Sequence, residues 1–72
     1  MKRRVALTQI GDATISTVLL AYHEPPEWET MVFGGRFNRA AERYDSRDAA
    51  EYGHNAWVGR ITRTRLPVQR AP

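Results

Sequence analysis

The run RRVALTQIGDATISTVLLAY, from Arg3 to Tyr22, reads as two strands joined by a tight turn. Val5 and Leu7 alternate with Arg4, Ala6 and Thr8, the period of a half-buried strand. Gly11-Asp12 suits the positive φ of a two-residue hairpin loop. Thr14 to Tyr22 is the return strand, rich in the β-branched residues Thr14, Ile15, Thr17 and Val18. With Gly11 and Asp12 as the turn, Val5 falls opposite Val18 and Leu7 opposite Ser16.

Glu24-Pro25-Pro26-Glu27 interrupts the pattern, because each proline fixes φ and removes a backbone donor. Trp28 to Phe33 reads as a third strand, with Met31 and Phe33 on one face and Trp28, Thr30 and Val32 on the other. Gly34-Gly35 ends it. A phosphate cradle needs glycines that open a helix, whereas these lead into the polar loop from Arg36 to Ala40 and read as a turn. Glu42 to Tyr44 is a short edge strand. Ser46 is then placed to cap a helix, with Asp48 near its positive end. Ala50, Gly53, Trp57 and Ile61 recur at helical spacing, with His54 and Val58 alongside. Gly53 costs that helix about 1 kcal/mol in propensity, which points to close approach of the helix to the sheet.

These elements predict an α+β domain: a three- to four-stranded antiparallel sheet in the order 1-2-3-4, with one C-terminal helix packed on one face. The helical stripe is expected to rest beside Val5, Val18 and Met31 or Phe33, with Met31, Phe33 and Trp57 in the core. The domain is expected to span 1–66, and 67–72 to be a frayed tail.

Seventy-two residues allow one domain, near the size at which a single core becomes marginal. The chain has no cysteine, which excludes disulfides and thiolate metal sites and fits a cytoplasmic protein. No apolar run approaches the ~20 residues of a membrane span. Thr8, Gln9 and Asp12 interrupt the stretch after Lys2, Arg3 and Arg4, so it lacks the apolar region of a signal peptide. The formal charge is +3. Every carboxylate side chain lies between Asp12 and Glu51, which leaves both ends of the chain basic.

Two surfaces are candidate binding sites. The first is the proline loop together with the start of the third strand. His23, Glu24, Glu27 and Glu29 form an acidic rim with one imidazole, Trp28 is an aromatic anchor beside it, and Tyr52 projects from the helix flank. The prolines splay these side chains, so the group reads as a protein-binding loop and not as a metal site. The second comprises Lys2, Arg3, Arg4, Arg60, Arg63 and Arg65, the alternative contacts for nucleic acid. His54 reads as a packed histidine bonded to a backbone carbonyl. Nothing in the sequence groups a nucleophile, a base and an orienting residue, so no catalytic residue and no cofactor are expected.

Ile15-Ser16-Thr17-Val18-Leu19-Leu20, Glu29-Thr30-Met31-Val32-Phe33-Gly34-Gly35, Glu42-Arg43-Tyr44, Ala50 and Gly53-His54 come one after another in that order. This ordered set resembles a family of short bacteriophage and prophage proteins, many of actinobacteria. Its members read like V-S-T-V-F-L-G, F-E-T-M-V-F-G-G, R-Y-S-T and E-A-x-x-G-H. The likeness covers roughly Arg3 to Ile61. Members usually continue the second strand with Asp-His and a glycine-rich loop, where this chain has Tyr22-His23-Glu24-Pro25-Pro26. Many also carry an N-terminal extension that this sequence does not show. The resemblance implies a phage setting and a fold, and no chemistry. The expectation is a non-catalytic protein in the cytoplasm of a host bacterium. It binds a host protein or defence complex stoichiometrically, a CRISPR system among the candidates, and a strand edge is a candidate contact for a homodimer, with a monomer as the other outcome. The alternative is a nucleic-acid-binding accessory protein that uses its basic termini.

Overall fold

The computed structural model describes residues 2–65. Within them the chain is α+β, a four-stranded antiparallel sheet with one helix against it. The strands β1 (Lys2–Ile10), β2 (Ala13–Leu20), β3 (Glu27–Phe33) and β4 (Ala41–Tyr44) lie side by side in sequence order, and α1 (Arg47–Arg65) comes after them. The tail expected over 67–72 lies outside the described residues.

Ile10 pairs with Ala13, so Gly11 and Asp12 are the whole β1–β2 loop. Gly11 takes φ 60°, the left-handed region that the first position of such a turn requires. Leu7 faces Ser16 as the sequence predicts. Val5 does not face Val18, because the register shifts between Arg4 and Ala6 and leaves Arg4 opposite Val18. Such a bulge bends an edge strand and hinders unwanted pairing along it. Strand β2 stops at Leu20, short of the predicted Tyr22. Its ladder ends there against Lys2 and Glu27, and the His23 amide turns back to the Leu20 carbonyl at 3.2 Å. The Glu24–Pro25 bond in the following loop is cis.

The helix covers the sheet face opposite to the expected one. Ala13, Ile15, Val32, Trp57 and Ile61 form the core, with Ile10, Phe37, Ala40 and Val58 packed around it. On β3 the covered residues are therefore Thr30 and Val32. Met31 is only half-buried, and Phe33 is 48% exposed. Trp57 is in the core as predicted. Met31 and Phe33 share their face with Glu27 and Glu29, whereas Thr30 and Val32 share theirs with Trp28 and with Ala13 and Ile15 of β2, and the polar groups of that face satisfy one another beneath the helix.

The helix begins as its sequence indicates: the Ala49 amide donates to Ser46 Oγ at 3.1 Å. Asp48 lies in the first turn, and Arg63 and Arg65 in the last, each matched in sign to the local end of the helix dipole. At Gly53 the helix lies directly against the Tyr44 side chain. A methyl group there would fall on the Tyr44 ring and hydroxyl.

Candidate functional site

A chain of polar side chains runs from the interior between sheet and helix out to the surface at Glu42. His54, on the buried stripe of α1, presents Nδ1 to Thr17 Oγ1 at 2.7 Å and Nε2 to Thr8 Oγ1 at 2.9 Å. Thr17 shares a short hydrogen bond with Thr30 across the β2–β3 ladder. Next to Thr30 stands Tyr44, whose hydroxyl donates to Glu42 Oε1 at 2.9 Å. Trp57 Nε1 donates to the same carboxylate oxygen at 2.9 Å. The expected backbone-carbonyl partner of His54 is thus replaced by two threonine hydroxyls.

Burial sets the ionisation of this chain. It pushes the His54 imidazole below its usual range, so the ring is neutral near pH 7. A neutral imidazole carries one donor and one acceptor nitrogen, so one threonine accepts from it and the other donates to it. Burial is also the main cause that holds the Tyr44 phenol above its usual range. The Thr30 hydroxyl opposes it, and the Glu42 carboxylate adds to it. A histidine between hydroxyls is a pairing that base-assisted nucleophiles use. Here, however, His54 is 3% exposed and Thr17 and Thr30 are sealed completely. No substrate reaches them, and among the described residues no buried side-chain polar atom is left without a partner. The network holds the helix in register on the sheet.

The predicted acidic rim is tied up locally. His23 Nδ1 lies 2.8 Å from Glu27 Oε1. Arg43, from β4, reaches both Glu27 and Glu29 at 3.3 Å. The hydrogen bond to Glu29, first among the causes, holds the Arg43 guanidinium above its usual range. Glu24 stays exposed. Strand alternation puts Trp28 on the helix side, between Leu19 and Tyr44 in register, whereas Glu27 and Glu29 face the other side. The anchor and its rim therefore do not form one surface. Tyr52 is 80% exposed on the helix, as expected.

The predicted basic set is divided as well. Lys2, Arg3 and Arg4 pair with Leu20, Leu19 and Val18, at the end of the hairpin away from its turn. Arg65 donates to Asp12 within that turn at 3.2 Å. The nine residues of β1 separate the two groups by about 27 Å at the usual strand rise. Arg60 and Arg65 instead approach Arg36 and Phe37 of the β3–β4 loop, while Arg63 lies back along the helix beside Gly59.

The uncovered face of the sheet holds Arg4 of one predicted set and Glu27 and Glu29 of the other, but its apolar residues belong to neither. On that side the rows run Leu7, Ser16, Met31, Ala41 and then Arg4, Val18, Glu29, Arg43. Leu7 is 51% exposed, and Phe33 is exposed to a similar degree one row further on. The face therefore carries Leu7, Val18, Met31 and Phe33 around the Ser16 hydroxyl, and an Arg43–glutamate cluster at one margin. The alternation of Met31 and Phe33 marks it in the sequence, although the same signal suggests a core.

The chain matches no family model, and neither a curated protein nor a solved structure is significantly similar to it. Among the described residues, no group of histidine and carboxylate side chains converges as a metal site would, and no helix is long and apolar enough to cross a membrane.

Proposed function

We propose that this chain acts by stoichiometric binding to a protein partner, with the uncovered sheet face as its working surface. The observation that carries the reading is an apolar stripe left open in a domain short of core. Leu7 and Phe33 are about half exposed, and the half-buried Met31 and Val18 share their face around Ser16. A second layer of protein on that face would remove their apolar surface from water. The margin formed by Arg43, Glu27 and Glu29 offers polar contacts of both signs, the usual surround of an apolar contact. The one imidazole with hydroxyl partners, His54, is closed to solvent. In the phage setting that the sequence resemblance implies, the partner is a host protein or a defence complex in the bacterial cytoplasm.

The test is affinity capture of host proteins with paired variants. Leu7→Lys with Phe33→Lys should abolish recovery of a partner at defined stoichiometry while the domain stays folded. Tyr52→Lys should leave recovery intact. Retention by the Leu7/Phe33 variant would move the working surface off the sheet.

A further inference from the structure

The end of the molecule where α1 stops has an unusual charge inventory. Arg36 and Arg60 meet at the Phe37 ring, and Arg65 lines the recess beside it with Arg36; Arg39 follows in the same loop and Arg63 in the same helical turn, with Asp12 on that recess and Glu42 beside Arg60 as the carboxylates nearby. Arg63 and Arg65 have an ordinary explanation, since cations stabilise the last turn of a helix, and Arg65 is also paired with Asp12. Arg36, Arg39 and Arg60 have none: no carboxylate in the described residues pairs with them.

Their surroundings are organised. The Arg60 guanidinium lies over the Phe37 ring at 4.7 Å and over the Trp57 ring at 5.0 Å. The two rings meet edge to face at 5.6 Å. Arg36 approaches the same Phe37 ring at 5.7 Å. Stacking fixes the guanidinium plane and leaves its in-plane N–H donors free for phosphate oxygens. Arg39 holds φ 77°, in the left-handed region that favours glycine. It is kept there by its amide bond to the Val32 carbonyl at 2.7 Å, next to the Val32–Ala40 bond at 2.9 Å. A concavity of about 230 Å³ opens beside Arg36 and Phe37, lined also by Asp12, Ala13, Ile61 and Arg65.

We infer that this arginine–aromatic end binds single-stranded nucleic acid, with Arg36 and Arg39 on backbone phosphates and Arg60 as a stacking plane for a base. Flexible lysines could supply the charge alone. Planar guanidiniums held against rings supply charge and a stacking surface together, the combination that single-strand sites use. A single strand also fits because Phe37, the ring on which Arg60 stacks, lines a small concavity that an unpaired base can enter and a paired one cannot. This surface is separate from the uncovered sheet face, so the two proposals fail independently.

The experiment is fluorescence anisotropy with a labelled ten-nucleotide single strand across a salt series. A blunt duplex of the same sequence and inorganic polyphosphate serve as further arms. Arg36→Gln with Arg39→Gln, both exposed loop residues, should weaken binding about tenfold or more. It should also flatten the log–log salt slope by about 1.4, since each single-strand phosphate contact contributes roughly 0.7. Arg60→Lys keeps the charge and loses the plane. It should weaken single-strand binding severalfold and leave polyphosphate binding unchanged. Lys2→Gln with Arg4→Gln makes the same change in net charge at the opposite end and should stay within twofold of the parent. Equal losses from the two charge-matched pairs would show diffuse attraction and overturn the site. Equal affinity for the duplex would overturn the single-strand assignment, and no binding by the parent at 50 mM salt would overturn both.

Discussion

Replacing Gly53 with alanine should destabilise the fold although it improves the helix. In an open helix the exchange gains about 1 kcal/mol, because glycine is the poorer helix former by that amount. Here the new methyl would lie well inside contact distance of the Tyr44 hydroxyl, Cζ and Cε1. Tyr44 cannot simply swing away, since its hydroxyl donates to Glu42 and the same carboxylate accepts from Trp57. Overpacking of this kind costs about 1–3 kcal/mol, and loss of the Tyr44–Glu42 bond adds roughly 1 kcal/mol. Set against the helix gain, the net loss is about 1–3 kcal/mol. In a domain of this size that lowers Tm by roughly 4–8 °C per kcal/mol. The decisive assay is a double-mutant cycle followed by thermal or urea unfolding. Tyr44→Ala removes the obstruction, so Gly53→Ala should change sign in that background and stabilise by up to about 1 kcal/mol. If Gly53→Ala stabilises the parent, or if its effect is the same in both backgrounds, the close packing of α1 on β4 is wrong.

Trp57→Ala empties a buried aromatic site at the centre of the core and should cost about 3–5 kcal/mol, enough to leave the chain largely unfolded by circular dichroism at 37 °C. Ser46→Ala removes the bond to the Ala49 amide and should cost about 1 kcal/mol in urea unfolding. His54, neutral in the fold because burial lowers its affinity for a proton, gains a proton more readily when unfolded. Its contribution to stability is therefore full above the unfolded pKa near 6.5 and is lost as pH falls below it. The parent should lose stability between pH 7 and pH 5 with a steeper slope than His54→Gln, measured by urea titrations at each pH. Equal slopes would refute a buried neutral histidine.

The strands, their order and the helix were legible because each carries its own local signal. Gly11-Asp12 supplies the turn, alternation supplies the strands, and Ser46 with the Ala50–Gly53–Trp57–Ile61 stripe supplies the helix. The covered face was not legible. Met31 and Phe33 look like the better core, and what overrules them is long-range: Thr17, Thr30 and His54 meet across three elements and satisfy one another. No window of sequence shows that Thr8 and His54 are partners, because 46 positions separate them. The bulge near Val5 was hidden for a similar reason, since it changes the pairing and not the pattern. The ordered motif behind the phage resemblance contains Thr17, Thr30, Tyr44, Gly53 and His54. In the fold these are the buried network and the helix–strand contact at Gly53, so what that motif records here is packing.

The candidate surfaces were half legible for a related reason. Charge is visible in sequence, but its partners are not. Arg43 neutralises Glu27 and Glu29 from a neighbouring strand, and a nine-residue strand separates the two basic ends. The face without a helix becomes visible only once the other face is known. Hydroxyl-radical footprinting of the partner-bound chain tests that face most directly. Oxidation of Leu7, Met31 and Phe33 should fall strongly on binding, while Tyr52 continues to react as in the free chain. Protection of Tyr52 with unchanged reactivity at Leu7, Met31 and Phe33 would contradict the account.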